Sequence, residues 1–266
     1  MGGRLAVRGR APELLLHLRT WCRGQGHPLH DPAPGDAAIA IVERGGAEEG
    51  RWRGAMRAGH ADLAHDGAVV EHPPATWGLA ARGAMIEAGS PAAAFGLSRR
   101  LDVWADEAPA LYAQAAAAQW DPATAIPWDT PFELPAAVED AVVQVMTYLI
   151  ENETAALVVP ARFCAQVHPH FREVMQLLAI QAADEARHIE VFTRRALLAR
   201  SELGLSTAGG QVSLQTLVDE PDFALASFLL SVLGEGSFLH LLGFLHVHAP
   251  DAATAEIMKL AAQDES

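Results

Sequence analysis

The sequence predicts an all-α fold, a four-helix bundle with one long crossover, preceded by a small α+β or irregular region. Two observations carry this. From Pro135 onward, apolar residues recur at helical spacing in four stretches, each bounded by prolines, glycines or acidic residues that suit helix ends. The connections between those stretches run short, long, short, the pattern of two helical hairpins joined by a crossover.

Three regions follow in order. Residues 1–105 are rich in Gly, Pro and Arg, with a helical pattern near Pro12 to Cys22 and strand-like runs at Ala37 to Val42 and Ala68 to Glu71, and read as an N-terminal α+β or irregular extension. Residues 106–134 form a connecting helix, near Ala108 to Gln119, and a linker marked by its prolines and aspartates. Residues 135–266 form the bundle.

In the bundle, Pro135 suits a first helical turn because its missing N–H would be unpaired there anyway. The first helix is expected to run to about Gln166, with Pro160 a point where it can kink. The loop Val167 to His170 is short and forces the second helix, about Pro169 to Arg200, to fold back antiparallel. Ser201 to Glu220, which includes Gly209-Gly210, is the long crossover. The third helix is expected from Pro221 to about His248, and Pro250-Asp251 begins the fourth.

Composition excludes several classes. The chain has 19 basic and 33 acidic residues, a net −14, which repels nucleic acid and anionic membrane surfaces. Two cysteines, Cys22 and Cys164, make no disulfide framework and fit a cytoplasmic location. No signal peptide is read at the basic start. No window is read as reaching the roughly 18 uncharged apolar residues of a bilayer span; the longest candidate, Phe223 to Leu245, carries Glu235 and His240.

The candidate site rests on carboxylates at matching depth. Glu153 lies 15 residues before His168 and Glu185 lies 17 after it, so at about 1.5 Å per residue they stand at nearly one level. Glu235 and Glu265 lie 15 before and 15 after Pro250. Each of the first three glutamates shares a helical stripe with apolar residues: Met146, Leu149, Ala156 and Leu157 for Glu153; Leu178, Ile189 and Phe192 for Glu185; Phe228, Val232, Phe238 and Leu242 for Glu235. Glu151, the rival on the first helix, shares its face with Gln144, Thr147 and Thr154. A carboxylate facing a core must be protonated, paired or bound to a cation.

Glu185 and His188 form a Glu-x-x-His, whose i, i+3 spacing puts the side chains about 60° apart around a helix and about 4.5 Å along it, within reach of one metal. Glu265 occupies the equivalent place in Ala262-Gln-Asp-Glu-Ser266, and the matching histidine would fall two residues after Ser266, so a second motif cut short is expected. His240, His246 and His248 read as helix-end or surface residues, and His168 and His170 as loop caps. Glu151 and Glu190 read most simply as solvated.

These residues resemble the ferritin-like di-iron carboxylate superfamily, over about residues 130 to 266. The resemblance implies metal ligands Glu153, Glu185, His188, Glu235 and Glu265, two Fe ions (or a Mn/Fe pair), and dioxygen activation by an oxygenase or oxidase acting on an organic substrate. It also implies, for Asp184 and Asp264, which each precede one of these glutamates, a role in orienting histidines. Phe192 stands where reductase subunits carry a radical tyrosine, and Ala261 where arylamine N-oxygenases add a histidine, so neither branch is favoured. A homodimer and an electron-donor protein are allowed as partners. The alternatives are an iron-binding or peroxide-detoxifying ferritin relative, or a non-catalytic helical scaffold.

Overall fold

The computed structural model describes residues 3–45 and 54–266, and the chain is mostly helical, as the sequence predicts. It divides into two compact units, Met1–Phe95 with His168–His170, and Gly96–Val167 with Phe171–Ser266.

In the first unit, β1 (Arg4–Val7), β2 (Leu29–His30) and β3 (Ala40–Glu43) form an antiparallel sheet in the order β1-β3-β2, with Leu5 and Leu29 both opposite Val42. The helix α1 (Leu14–Gly24) connects β1 to β2 and buries Cys22. A second ribbon pairs β4 (Met56–Arg57) with β5 (Met85–Ile86). Ala68 to Glu71, expected as a strand, is turn structure, folded back so that Ala68 O accepts the His60 N–H at 3.2 Å. Gly59 makes this possible: its φ is 66°, and a Cβ there would lie 2.2 Å from Ala68 O.

The second unit opens with α2 (Arg100–Val103) and α3 (Ala108–Ala118). Then α4 (Ala136–Cys164) runs through Pro160 as one helix, and α5 (Arg172–Ala196) follows a 3₁₀ turn at Pro169–Phe171. They pack antiparallel: Glu139 near the start of α4 meets Arg195 near the end of α5. The crossover contains a helix, α6 (Ala208–Val218), that the sequence reading passed over. Its N-cap is Thr207, whose hydroxyl accepts the Gly210 N–H at 3.1 Å.

Next, α7 (Phe223–Ser227), a π-helical stretch (Phe228–Gly234) and α8 (Glu235–Val247) form one continuous rod where a plain helix was expected. Last comes α9 (Ala252–Asp264), whose N-cap Asp251 accepts the Thr254 N–H at 2.8 Å. One core joins four of these helices through Met146 and Leu149 of α4, Phe192 of α5, Leu242 of α8, and Ile257 and Met258 of α9, all at most 1% exposed.

By length and mean hydropathy alone, Ala136–Cys164 and Phe223–Val247 are long and apolar enough to cross a bilayer, although each carries at least one acidic residue. Half of the most apolar window of the first is buried inside the protein, against 11% for the second.

At one end of the α4–α5 pair sits a closed ionic cluster. Arg195 is fully buried and donates to both oxygens of Glu139 (2.8 and 3.0 Å), to Asp251 Oδ2 (2.8 Å) and to Thr254 Oγ1 (2.8 Å). It ties α4, α5 and the cap of α9 together with its guanidinium fork filled, the arrangement a buried charge requires.

Candidate metal centre

Two helical turns back along α5 from Arg195, His188 occupies the middle of a second cluster. Glu153, Glu185 and His188 are at most 2% exposed. His188 Nδ1 lies 3.5 Å from Glu153 Oε1, 3.3 Å from Glu185 Oε2 and 3.4 Å from Glu265 Oε1. One ligand atom from each of these four residues falls within 4.8 Å of the others, a grouping that could hold a metal ion.

The hydrogen-bond balance of this group is unusual for an interior. Glu153 Oε1, Glu185 Oε2 and His188 Nδ1 are buried and make no hydrogen bond, although buried polar atoms are nearly always paired. His188 Nε2, in contrast, lies 3.1 Å from Asp264 Oδ2. When the ring is neutral with Nε2 as the donor, Nδ1 carries its lone pair toward the three carboxyl groups, the tautomer a cation ligand needs.

Asp264 is itself held on three sides, accepting from Trp120 Nε1 at 2.8 Å and Arg187 Nη2 at 2.7 Å as well as from His188. Burial would raise its pKa, but these donors outweigh it and lower the carboxyl below its usual value. Asp184, the other candidate for orienting a histidine, turns instead to Arg187 and to Gln119 Nε2, each at 2.6 Å. Arg187 also reaches Gln119 Oε1, and its guanidinium lies 4.7 Å from the Trp120 ring centre.

The acids are crowded. Glu185 is pushed up to about 8, first by burial and then by the neighbouring Glu153 charge, against the opposing influence of the His188 ring 3.3 Å away. Glu235 is also pushed up to about 8, by burial first and then by Glu265 and Glu185. Burial raises Glu265 as well. For His188, burial works to lower the pKa, but the Asp264 hydrogen bond and the facing carboxyl groups of Glu153, Glu185 and Glu265 overcome it and hold the ring well above 6.5. Proton sharing is how acids at this density coexist without a cation.

Of the residues read from sequence, Glu153, Glu185, His188 and Glu265 are brought together. Glu235 stands beside them outside the four-residue group, its Oε1 accepting from Gln181 Nε2 at 3.0 Å. Glu151 is half-buried and outside the group, and Glu190 is exposed. His240 and His246 each lie against a helix carbonyl, Gly236 O and Ala255 O, and the His248 ring lies 4.4 Å from that of Phe244. His168 and His170 are buried, His168 Nδ1 accepting the His170 N–H and His170 Nε2 accepting the Val70 N–H.

Gln119, Trp120, Gln181 and Arg187 were not read from the sequence. Two of them had a signal. Arg187 stands i+3 from Asp184 inside the Glu-x-x-His, and Gln181 is a polar residue four before Glu185 on an otherwise apolar stripe. Gln119 and Trp120 lie outside any periodic pattern and reach the site only through the fold.

Two cavities open on the cluster, and Glu235 and Glu265 line both. One, about 280 Å³, is bounded by α3 and α5 and contains Gln114, Gln181, Asp184 and Asp264. The other, about 260 Å³, lies between α4, α6 and the 223–247 rod. The chain matches no protein-family model, no curated protein and no solved structure.

Proposed function

We propose that residues 135–266 form a ferritin-like four-helix bundle and that the protein is a non-haem di-iron oxidoreductase, using dioxygen to oxidise an organic substrate. What carries this reading is His188 Nδ1, unpaired and surrounded at 3.3–3.5 Å by three carboxylate oxygens from three different helical segments. A structural Glu–His hydrogen bond would need one carboxylate and would leave no orphaned oxygens. The shared core of α4, α5, α8 and α9 supports the bundle.

Glu153, Glu185, Glu265 and His188 would hold the metal, with Glu235 beside them as a further carboxylate. When bound, ferrous iron supplies the electrons for dioxygen reduction. Three glutamates and a neutral imidazole offset the charge of such ions, and carboxylates can shift between one- and two-oxygen binding as that charge changes. Asp264 keeps the imidazole Nε2 protonated and its ring oriented. Leu149, one turn before Glu153, and Phe192, one turn after His188 with its ring centre 6.3 Å from the imidazole, are fully buried and give the cluster apolar neighbours on α4 and α5.

The test is the iron content of the chain after anaerobic loading with ferrous iron, beside His188→Ala and a chain extended to carry a histidine two residues after Ser266. Iron retained by the parent chain and lost in His188→Ala supports the reading, and a second equivalent in the extended chain supports two ions. No iron in either the parent or the extended chain returns the glutamates to a structural role.

A further inference from the structure

The crossover between the two hairpins is fastened to α4 at both ends. At its start, the Leu205 N–H donates to Gln144 Oε1 at 2.9 Å, Gln144 Nε2 donates to Leu205 O at 2.9 Å, and the Gly204 N–H donates to Thr147 Oγ1 at 2.7 Å. At its end, the Arg162 guanidinium donates to the carbonyls of Val218 and Glu220. Between these fastenings α6 has no fully buried residue, so little apolar packing holds the helix itself down. Its Leu214 and Leu217, three apart on one face, roof the 260 Å³ cavity.

The remaining lining decides what fits. Ala156, Leu230, Phe238 and Leu241 make the walls, and Glu153, Glu235 and Glu265 form the boundary with the metal-ligating cluster. No Lys, Arg or His is among the described residues that line the cavity. Two of its three neutral polar residues are occupied, Asn152 Nδ2 donating to Tyr148 O and Ser237 Oγ to Leu233 O.

We infer that this cavity is the substrate pocket and that it takes a compact, uncharged and largely apolar molecule, admitted beneath α6. The inference rests on the di-iron reading for the word substrate; the ligand chemistry rests on the cavity alone. An anionic group would find no cation to pair with, only the Tyr148 hydroxyl and the second Asn152 amide N–H among the neutral side-chain donors, and would face the three acids Glu153, Glu235 and Glu265. The volume lies just below the roughly 300–1,000 Å³ that holds drug-sized ligands, so the ligand is small. The apolar walls supply burial but few directional contacts, which favours a hydrocarbon-like body over a polyhydroxylated one.

The test compares 1-hexanol with hexanoate, the same chain length with and without charge, by ligand-observed NMR on the metal-free full chain. Wild type is expected to bind hexanol and to show no hexanoate binding. Leu217→Trp, which fills the cavity from its roof, should weaken hexanol at least tenfold with an unchanged circular dichroism spectrum. Should that variant misfold, Ala156→Leu fills the same space from α4 and carries the same expectation. Hexanoate binding as tight as hexanol, or hexanol binding unaffected in a folded cavity-filling variant, overturns the inference. No iron is present in this experiment, so its failure leaves the iron-loading result untouched; an iron-loading failure beside intact hexanol binding removes the di-iron reading instead.

Discussion

His188 and Asp264 stand 3.1 Å apart through the imidazole Nε2, and that contact leaves the other ring nitrogen directed at Glu153, Glu185 and Glu265. Asp264 comes from α9 and His188 from α5, so the orientation of the imidazole depends on the two hairpins being in register.

Replacing Asp264 with Asn keeps the shape but weakens the acceptor that fixes the histidine tautomer. Asp264→Asn is expected to lower metal affinity about 10–100-fold, in line with other residues that orient metal-bound histidines. A competitive titration with Co²⁺ and a chromophoric chelator measures it. Unchanged affinity would mean that His188 is oriented by something else.

Stability of the metal-free chain should fall as pH rises. Glu185 and Glu235 ionise near 4.5 when unfolded but near 8 when folded, so across that window the folded state holds more protons. Their contribution is fully present below about pH 4.5 and is lost as the pH passes about 8. His188, also raised in the fold, acts with the same sign. A lower melting temperature at pH 8.5 than at pH 6 is expected without metal. A bound cation displaces those protons, so added metal should stabilise more at the higher pH.

Glu151 and Glu153 can be separated directly. Glu153→Gln should weaken metal binding more than about tenfold, or about 1.4 kcal/mol, while Glu151→Gln leaves it unchanged. Equal losses in the two variants would count against the assignment of Glu153.

Arg195 offers a stability test away from the candidate metal centre. Arg195→Met leaves Glu139 and Asp251 buried without their shared cation and is expected to cost about 3–5 kcal/mol, read by urea denaturation near neutral pH. Metal affinity per folded molecule should change little, since the cluster lies two turns from His188.

The helical part of this fold was legible because its signals are local. Apolar periodicity marked α4, α5, the 223–247 rod and α9, and counting residues outward from each turn placed Glu153, Glu185, Glu235 and Glu265 at matching depth, of which Glu235 stands outside the four-residue group. The helix α6 was missed because Gly209-Gly210 reads as a breaker, whereas in the structure the Gly210 N–H is the donor that satisfies the Thr207 cap. The π-helical stretch was illegible because it widens the helix without changing its composition. The Trp120–Asp264 contact spans 144 residues, beyond any spacing argument. In the N-terminal unit the run read at Ala37 to Val42 overlaps β3, while the other strands, of two to four residues, are too brief for alternation to declare itself.

The saturated Arg195 cluster makes α5 energetically uneven along its length. Its last turns are pinned by a filled guanidinium, while the turns around Glu185 carry acids that repel one another unless a proton or cation intervenes. Amide hydrogens from Gln181 to His188 should therefore exchange with solvent deuterium sooner than those from Val191 to Ala196, and a bound cation should flatten that gradient. The cluster at one end of the helix thus acts as a fixed clamp, leaving the turns that carry Glu185 and His188 as the portion whose opening is set by the proton or cation they hold.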